Sequence, residues 1–220
     1  MPKPNSRYWI VLLLGSYDPE TESLLIRLKE EASHSLMNQD DTILIFVLEN
    51  LEIYSFAISG QSDTEKITVV AEKYDQDKRL SIFIMKEDSI MDAYDLPLAG
   101  KKIDDAVVKS ISERYNIASF CKLEILEKLT QLAVASSVVF LLRDRELTRG
   151  GEYIELVYLL GGDKLSPSKI YFLKNERIPL SEMIVDFLSK YGIKQVPYDD
   201  INKLILDVTG IIEKHLHSDA

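Results

Sequence analysis

The fold is decided by residues 136–176, which run SSVVFLLRD (Ser136–Asp144), RELTRGG (Arg145–Gly151), EYIELVYLLGG (Glu152–Gly162) and, after a short polar link, KIYFLKNE (Lys169–Glu176). The order reads as a buried strand, a polar turn, a short helix and a second strand. Val138–Leu142 and Ile170–Leu173 are apolar without alternation, as in strands covered on both faces of a parallel sheet. Between Tyr153 and Leu160 the only charged residue is Glu155. A carboxylate in so apolar a helix is rarely buried without a partner, so it is either paired or faces a cleft.

The same rhythm extends outward. Tyr8–Leu14 (YWIVLLL) is a continuous apolar run that stops at Gly15-Ser16-Tyr17. Asp18 then offers a helix cap, Pro19 fits the first helical position, and Glu20 and Glu22 suit the positive end of the helix dipole. Leu24, Leu25, Leu28, Ala32 and Leu36 give that helix its apolar stripe. Thr42–Leu48 reads as a second buried strand, with extended chain through Glu52–Ile58. The spacing of Ile67, Val70, Ala71 and Tyr74 predicts a helix over Ser62–Asp75. Leu80–Met85 reads as a third strand, Ser89–Lys102 as a loop or lid, Ile103–Tyr115 as a helix, and Phe120–Ala133 as another. After the central stretch come a helix over Leu180–Tyr191, a short strand at Ile193–Val196 and a last helix capped by Asp199 or Asp200. Its Ile201, Leu204, Ile205, Val208 and Ile212 repeat at helical spacing, ready to dock on the sheet or on a second subunit.

Alternating buried strands and amphipathic helices predict one α/β domain over residues 1–220, with a C-terminal helical element at 197–220. The expected architecture is a flavodoxin-like three-layer sandwich around a mostly parallel sheet of about five strands. Ligands of such folds sit outside the carboxyl ends of the strands, where the strand order reverses. Gly15-Ser16-Tyr17, Lys86-Glu87-Asp88 and Arg143-Asp144 are then the candidate walls of a cleft.

Composition narrows the classes. Hydrophobic residues make up 46% and charged residues 28% of the 220, as in ordinary globular proteins. A net charge of −10 opposes binding to nucleic-acid phosphates, and the Lys101-Lys102 pair is too short to form a basic patch. His34, His215 and His217 are scattered or C-terminal, and His215 and His217, as H-x-H, do not share a helical face, so no metal site is expected; no cofactor is expected either. The single Cys121, in a stretch read as helical, is expected to be a core or half-buried thiol in a reducing compartment. No apolar run approaches the length of a membrane span, and the run Tyr8–Leu14 leads straight into a turn, so neither membrane insertion nor a signal peptide is expected. Cytoplasmic is the default location.

Two constellations carry chemistry. At Gly15-Ser16-Tyr17, free N–H groups opening a helix could hold an anion, or the glycine simply makes the turn sharp. In Gly150-Gly151-Glu152-x-x-Glu155, the glycines allow backbone to approach a ligand, and the two carboxylates lie on roughly one side of a helix. Glu155 beside a cleft could attack a sugar anomeric carbon or stabilise the cation that forms there. Otherwise Glu152 serves the helix dipole and Glu155 pairs with Arg143, Arg145 or Arg149.

The pattern of strand, polar turn, glycine loop and a helix reading G-x-x-x-x-E-L-x-Y (Gly150, Glu155, Leu156, Tyr158) resembles the nucleoside 2-deoxyribosyltransferase-like superfamily. It is also similar to TIR-type domains, some of which cleave NAD. The resemblance implies that Glu155 stands in the place of a nucleophilic glutamate and that a nucleoside sugar lies between Tyr17 and the helix. Gly15, Ser16, Tyr17, Asp144, Arg149, Gly150, Gly151 and Glu152 are the candidate ligand-binding residues, and the resemblance further implies a homo-oligomer, a dimer first, that completes the site. Arg149 stands six residues before Glu155, where those transferases carry an aspartate, and suits a phosphate-bearing ligand. The alternative is therefore a non-catalytic nucleotide-sensing or protein-interaction module. A purely structural oligomer held by the last helix is the third reading.

Overall fold

β1 (Tyr8–Gly15) is buried along nearly its whole length, as its unbroken apolar run requires. It pairs in parallel with β2 (Thr42–Val47) on one side and with β8 (Val138–Arg143) on the other. β8 pairs in parallel with β9 (Ile170–Asn175), and β9 with β10 (Lys194–Tyr198). The result is a five-stranded parallel sheet in the order β10-β9-β8-β1-β2. Growth reverses at β1, because the chain first places β2 on one side and all later strands of the sheet on the other. The computed structural model describes residues 8–16, 18–37, 41–60, 65–74, 78–87, 89–145, 151–161 and 165–218.

Helix α1 (Pro19–Ser35) turns Leu24, Leu25, Leu28 and Ala32 onto the sheet face formed by Trp9, Val11, Leu13, Phe140 and Leu142. On the same face lies α6 (Ile201–Ser218), whose Leu204, Ile205, Val208, Ile212 and Leu216 are buried there. The apolar stripe of the last helix is thus spent on the sheet. Side chains of a strand alternate between faces, so Phe172 points away from that side, and the Tyr153 ring of α4 (Gly151–Leu160) stacks on it with centroids 6.1 Å apart. Helix α3 (Ile125–Ala135) precedes β8, and α5 (Glu182–Lys190) precedes β10.

The chain divides into two compact units, residues 1–49 with 129–220, and residues 50–128. The second unit is an antiparallel five-stranded sheet in the order β6-β5-β4-β3-β7. Its strands are β3 (Leu51–Ile58), β4 (Glu65–Tyr74), β5 (Arg79–Lys86), β6 (Ser89–Pro97) and β7 (Ile117–Lys122). α2 (Ile103–Ser112) packs Ala106, Val107 and Ile111 against Tyr54, Phe56, Ile67, Val69 and Ile82 of this sheet.

Here the structure differs from several expectations. The spacing predicts a helix over Ser62–Asp75, yet its described part is the central strand β4. Ile67, Val69 and Ala71 face one core at strand spacing, and the β-branched KITVV run favours the ladder over the competing helical spacing. Ser89–Pro97 is strand β6 rather than a loop; as an edge strand carrying Asp92 and Asp95 it lacks apolar periodicity. Phe120 and Cys121 belong to β7, and the helix begins only at Ile125. Cys121 is accordingly exposed on an edge strand, not buried in a helix. Lys86 and Glu87 close the β5–β6 hairpin of the second sheet, so they do not end a strand of the parallel one, and Asp88 lies outside the described residues; Glu87 has φ 56° there. Among the described residues no helix is long and apolar enough to cross a membrane.

Phe140 is fully buried in β8 against α1 and α6. Phe140→Ala is expected to lower unfolding stability by about 3–5 kcal/mol, read as a shifted urea midpoint.

Candidate functional site at the carboxyl edge of the parallel sheet

β1 and β8 end side by side, with Gly15 opposite Leu142. A side chain at Gly15 would meet Leu25 Cδ1 and Thr21 Cγ2 at 3.1 Å, so glycine here lets α1 close on the strand end. Ser16 follows, buried, and its hydroxyl donates to the Asp18 carboxylate. Asp18 caps α1: Oδ1 accepts from the N–H of Glu20 at 3.2 Å and of Thr21 at 3.0 Å, and Oδ2 accepts from Thr21 Oγ1 at 2.6 Å. The helix N-terminus therefore already holds an anion from its own chain. Arg145 adds a cation, with Nε 3.7 Å from Asp18 Oδ1 and its guanidinium against Glu20. Burial works to raise the Asp18 pKa, but the Thr21 hydroxyl and N–H, Ser16 and Arg145 outweigh it and hold the carboxyl below its usual value.

Glu155 lies on α4 and is only 5% exposed, while its neighbours Leu156 and Leu159 fill the core. Arg143, the last residue of β8, is also buried at 9% exposure, its guanidinium 5.2 Å from the centre of the Tyr153 ring. Arg145 is directed to Asp18 and Glu20, which leaves that arginine in the service of α1.

A residue that the sequence did not single out joins them. Glu49 stands in the short turn after β2, half-buried, where Glu22, Glu155 and Asp18 all act on it. Burial first, and then these three negative neighbours, push its carboxyl up from 4.5 to about 7. The site is thus a gathering of acids from the ends of β1 and β2 and from α1 and α4. The signal was only a lone acid following a buried strand in VLEN, and the fold alone brings it to Glu155.

A second polar chain runs along the same edge. Asp144 Oδ1 accepts from Tyr198 Oη at 2.6 Å and from Asn175 Nδ2 at 3.3 Å. These residues follow or end β8, β10 and β9, so three neighbouring strands are tied at their carboxyl ends. Burial, and then donation to the Asp144 carboxylate, raise the pKa of the Tyr198 hydroxyl. Asn175 and Tyr198 also went unnoticed in the sequence, since each reads there as an ordinary strand-end residue.

The structure thus brings Gly15, Ser16, Asp144 and Glu155 to one edge of one sheet. Gly151 opens α4. Tyr17, Arg149, Gly150 and the side chain of Glu152 lie outside the described residues. Among the described residues no group of three or more His, Cys, Asp or Glu is placed to hold a metal ion. No family model, curated protein or solved structure matches the chain.

Two measurements follow from this geometry. Glu49 in the folded chain keeps its proton up to about pH 7, whereas the unfolded chain releases it near 4.5. The folded state is therefore favoured fully below pH 4.5, and that share of stability is lost as pH rises through 7. Glu49→Gln is expected to leave the melting temperature nearly unchanged at pH 4.5 and to raise it at pH 8. Tyr198→Phe removes a buried donor to a carboxylate and is expected to cost about 1–3 kcal/mol in urea unfolding.

Proposed function

We propose that the parallel unit is a flavodoxin-like three-layer sandwich that binds a nucleoside or nucleotide at its carboxyl edge and cleaves or transfers the N-glycosidic bond. The observation that carries this reading is Glu49, a carboxyl raised to about 7 within the electrostatic reach of Glu155. Releasing the neutral base of a nucleoside calls on two groups of opposite protonation, whereas the cationic nicotinamide of NAD leaves without a proton. One donates a proton to the departing base, and one bears negative charge toward the anomeric carbon. Two carboxyls in unlike environments supply that division.

In this reading Glu49 is the acid. The glycosidic electron pair leaves with the base nitrogen, and the Glu49 proton neutralises it. Glu155 is the carboxylate that attacks the anomeric carbon or stabilises its cation, and water or a second base then completes the exchange. Gly15, Ser16, Tyr17, Asp144, Arg149, Gly150, Gly151 and Glu152 are assigned to ligand binding, and no cofactor is required. The location is cytoplasmic in this proposal. The 5% exposure of Glu155 favours a second reading, in which the same edge senses a nucleotide or docks a protein without chemistry.

The test is base release from NAD, ribonucleosides and 2′-deoxynucleosides, followed by chromatography. Glycosidic chemistry predicts release that disappears in Glu155→Gln and, for the nucleosides, falls about 100-fold or more in Glu49→Gln. An absence of release combined with a nucleotide-dependent rise in melting temperature would support the sensing module. An absence of both contradicts the enzyme and the nucleotide-sensing readings.

A further inference from the structure

We infer that Asp144 makes the carboxyl edge selective for ribose over 2′-deoxyribose, its Oδ2 accepting a hydrogen bond from the 2′-hydroxyl; this rests on the nucleoside reading proposed above. Asp144 is half-buried just beyond the end of β8. Both hydrogen bonds that it receives fall on Oδ1, from Tyr198 Oη at 2.6 Å and from Asn175 Nδ2 at 3.3 Å. Among the described residues none falls on Oδ2. Each carboxylate oxygen has two lone pairs. Oδ1 is therefore filled, and Oδ2 keeps its accepting capacity for a ligand.

The two donors are themselves fixed. Tyr198 is 2% exposed, and its carbonyl accepts from the Glu176 N–H at 2.8 Å. Asn175 sits opposite Tyr198 in the β9–β10 ladder, and its Oδ1 accepts from the Arg177 N–H at 3.1 Å, which leaves its Nδ2 to Asp144. The carboxylate is thus oriented before any ligand arrives, so binding costs little side-chain freedom. Tying the three strand ends together uses only Oδ1. An ionised carboxylate accepts and never donates, so the ligand group that matches Oδ2 is a donor such as a hydroxyl.

The groups along the edge stand in the order of the parts of a ribonucleoside. Glu49 follows β2 and is the proposed acid for the base. Glu155 comes from α4, which packs on β1 and β8, and is the proposed partner of the anomeric carbon. Asp144 follows β8, on the other side of β1 from Glu49. From β2 to β8 is two strand spacings, about 10 Å, which a nucleoside spans from base to sugar hydroxyls. In that direction the first hydroxyl beyond the anomeric carbon is the 2′-hydroxyl.

Calorimetric titration with adenosine, guanosine, cytidine and uridine, each beside its 2′-deoxy form, reads the preference in the wild-type chain. A ribonucleoside is expected to bind about 10–100-fold tighter than its 2′-deoxy form, the worth of one hydrogen bond to a charged acceptor. Asp144→Asn keeps the size of the side chain and removes its charge, and is expected to bring that ratio close to one. Tyr198→Phe keeps the charge but frees the carboxylate, and is expected to give a ratio between the two. Base release measured in parallel separates the claims. Ribose-selective binding without release supports the selectivity and removes only the glycosidic step. Binding or release with no ribose preference, or a preference that survives in folded Asp144→Asn, overturns the inference and leaves the nucleoside site standing. Neither binding nor release overturns both.

Discussion

Everything in the first unit depends on β1 being paired in parallel on both sides. A strand hydrogen-bonded along both edges and covered on both faces must be apolar throughout, and YWIVLLLG is. Parallel pairing forbids short hairpins, so each neighbour is reached by a crossover that lays structure over the sheet. The chain makes β2 on one side and then β8, β9 and β10 on the other. That reversal leaves the carboxyl ends of β1 and β8 adjacent, with their following segments diverging. In open α/β sheets this is where ligands enter.

What stands at that position is acidic. Asp18 is stabilised as an anion by the N-terminus of α1, by hydroxyls and by Arg145. Burial first, and then the negative charges of Glu22, Glu155 and Asp18, make the half-buried Glu49 ionise reluctantly. The capping interaction that stabilises α1 therefore also bears on the protonation of a carboxyl in the turn after β2. Along the same edge, Asp144 takes its hydrogen bonds from Tyr198 and Asn175, which fixes its carboxylate while tying β8, β9 and β10 together. Helix capping, strand register and site electrostatics are one arrangement here.

Much of this was legible from the residues, and the limits have physical causes. The runs at Tyr8–Leu14 and Val138–Leu142 declared buried parallel strands, and Asp18-Pro19 declared a helix start, because each signal is local. Ser62–Asp75 misled because Ile67, Val70 and Ala71 satisfy a helical period while Ile67, Val69 and Ala71 satisfy a strand period. The strands on either side of β4 decided between them. β6 and β7 hid because edge strands need no apolar alternation. At the site, Glu155 stood out as the lone charge in an apolar helix. Glu49, Asn175 and Tyr198 did not, since their significance lies in partners far away in sequence.

The account turns on the half-buried carboxyls gathered at the carboxyl edge, and the protonation of Glu49 reports its burial and their crowding together. Carbon-13 NMR of labelled glutamate carboxyls, titrated with pH and assigned through Glu49→Gln, measures it. The predicted midpoint for Glu49 is about 7, moving downward in Glu155→Gln. A midpoint near 4.5, unmoved by the loss of Glu155, would contradict the account.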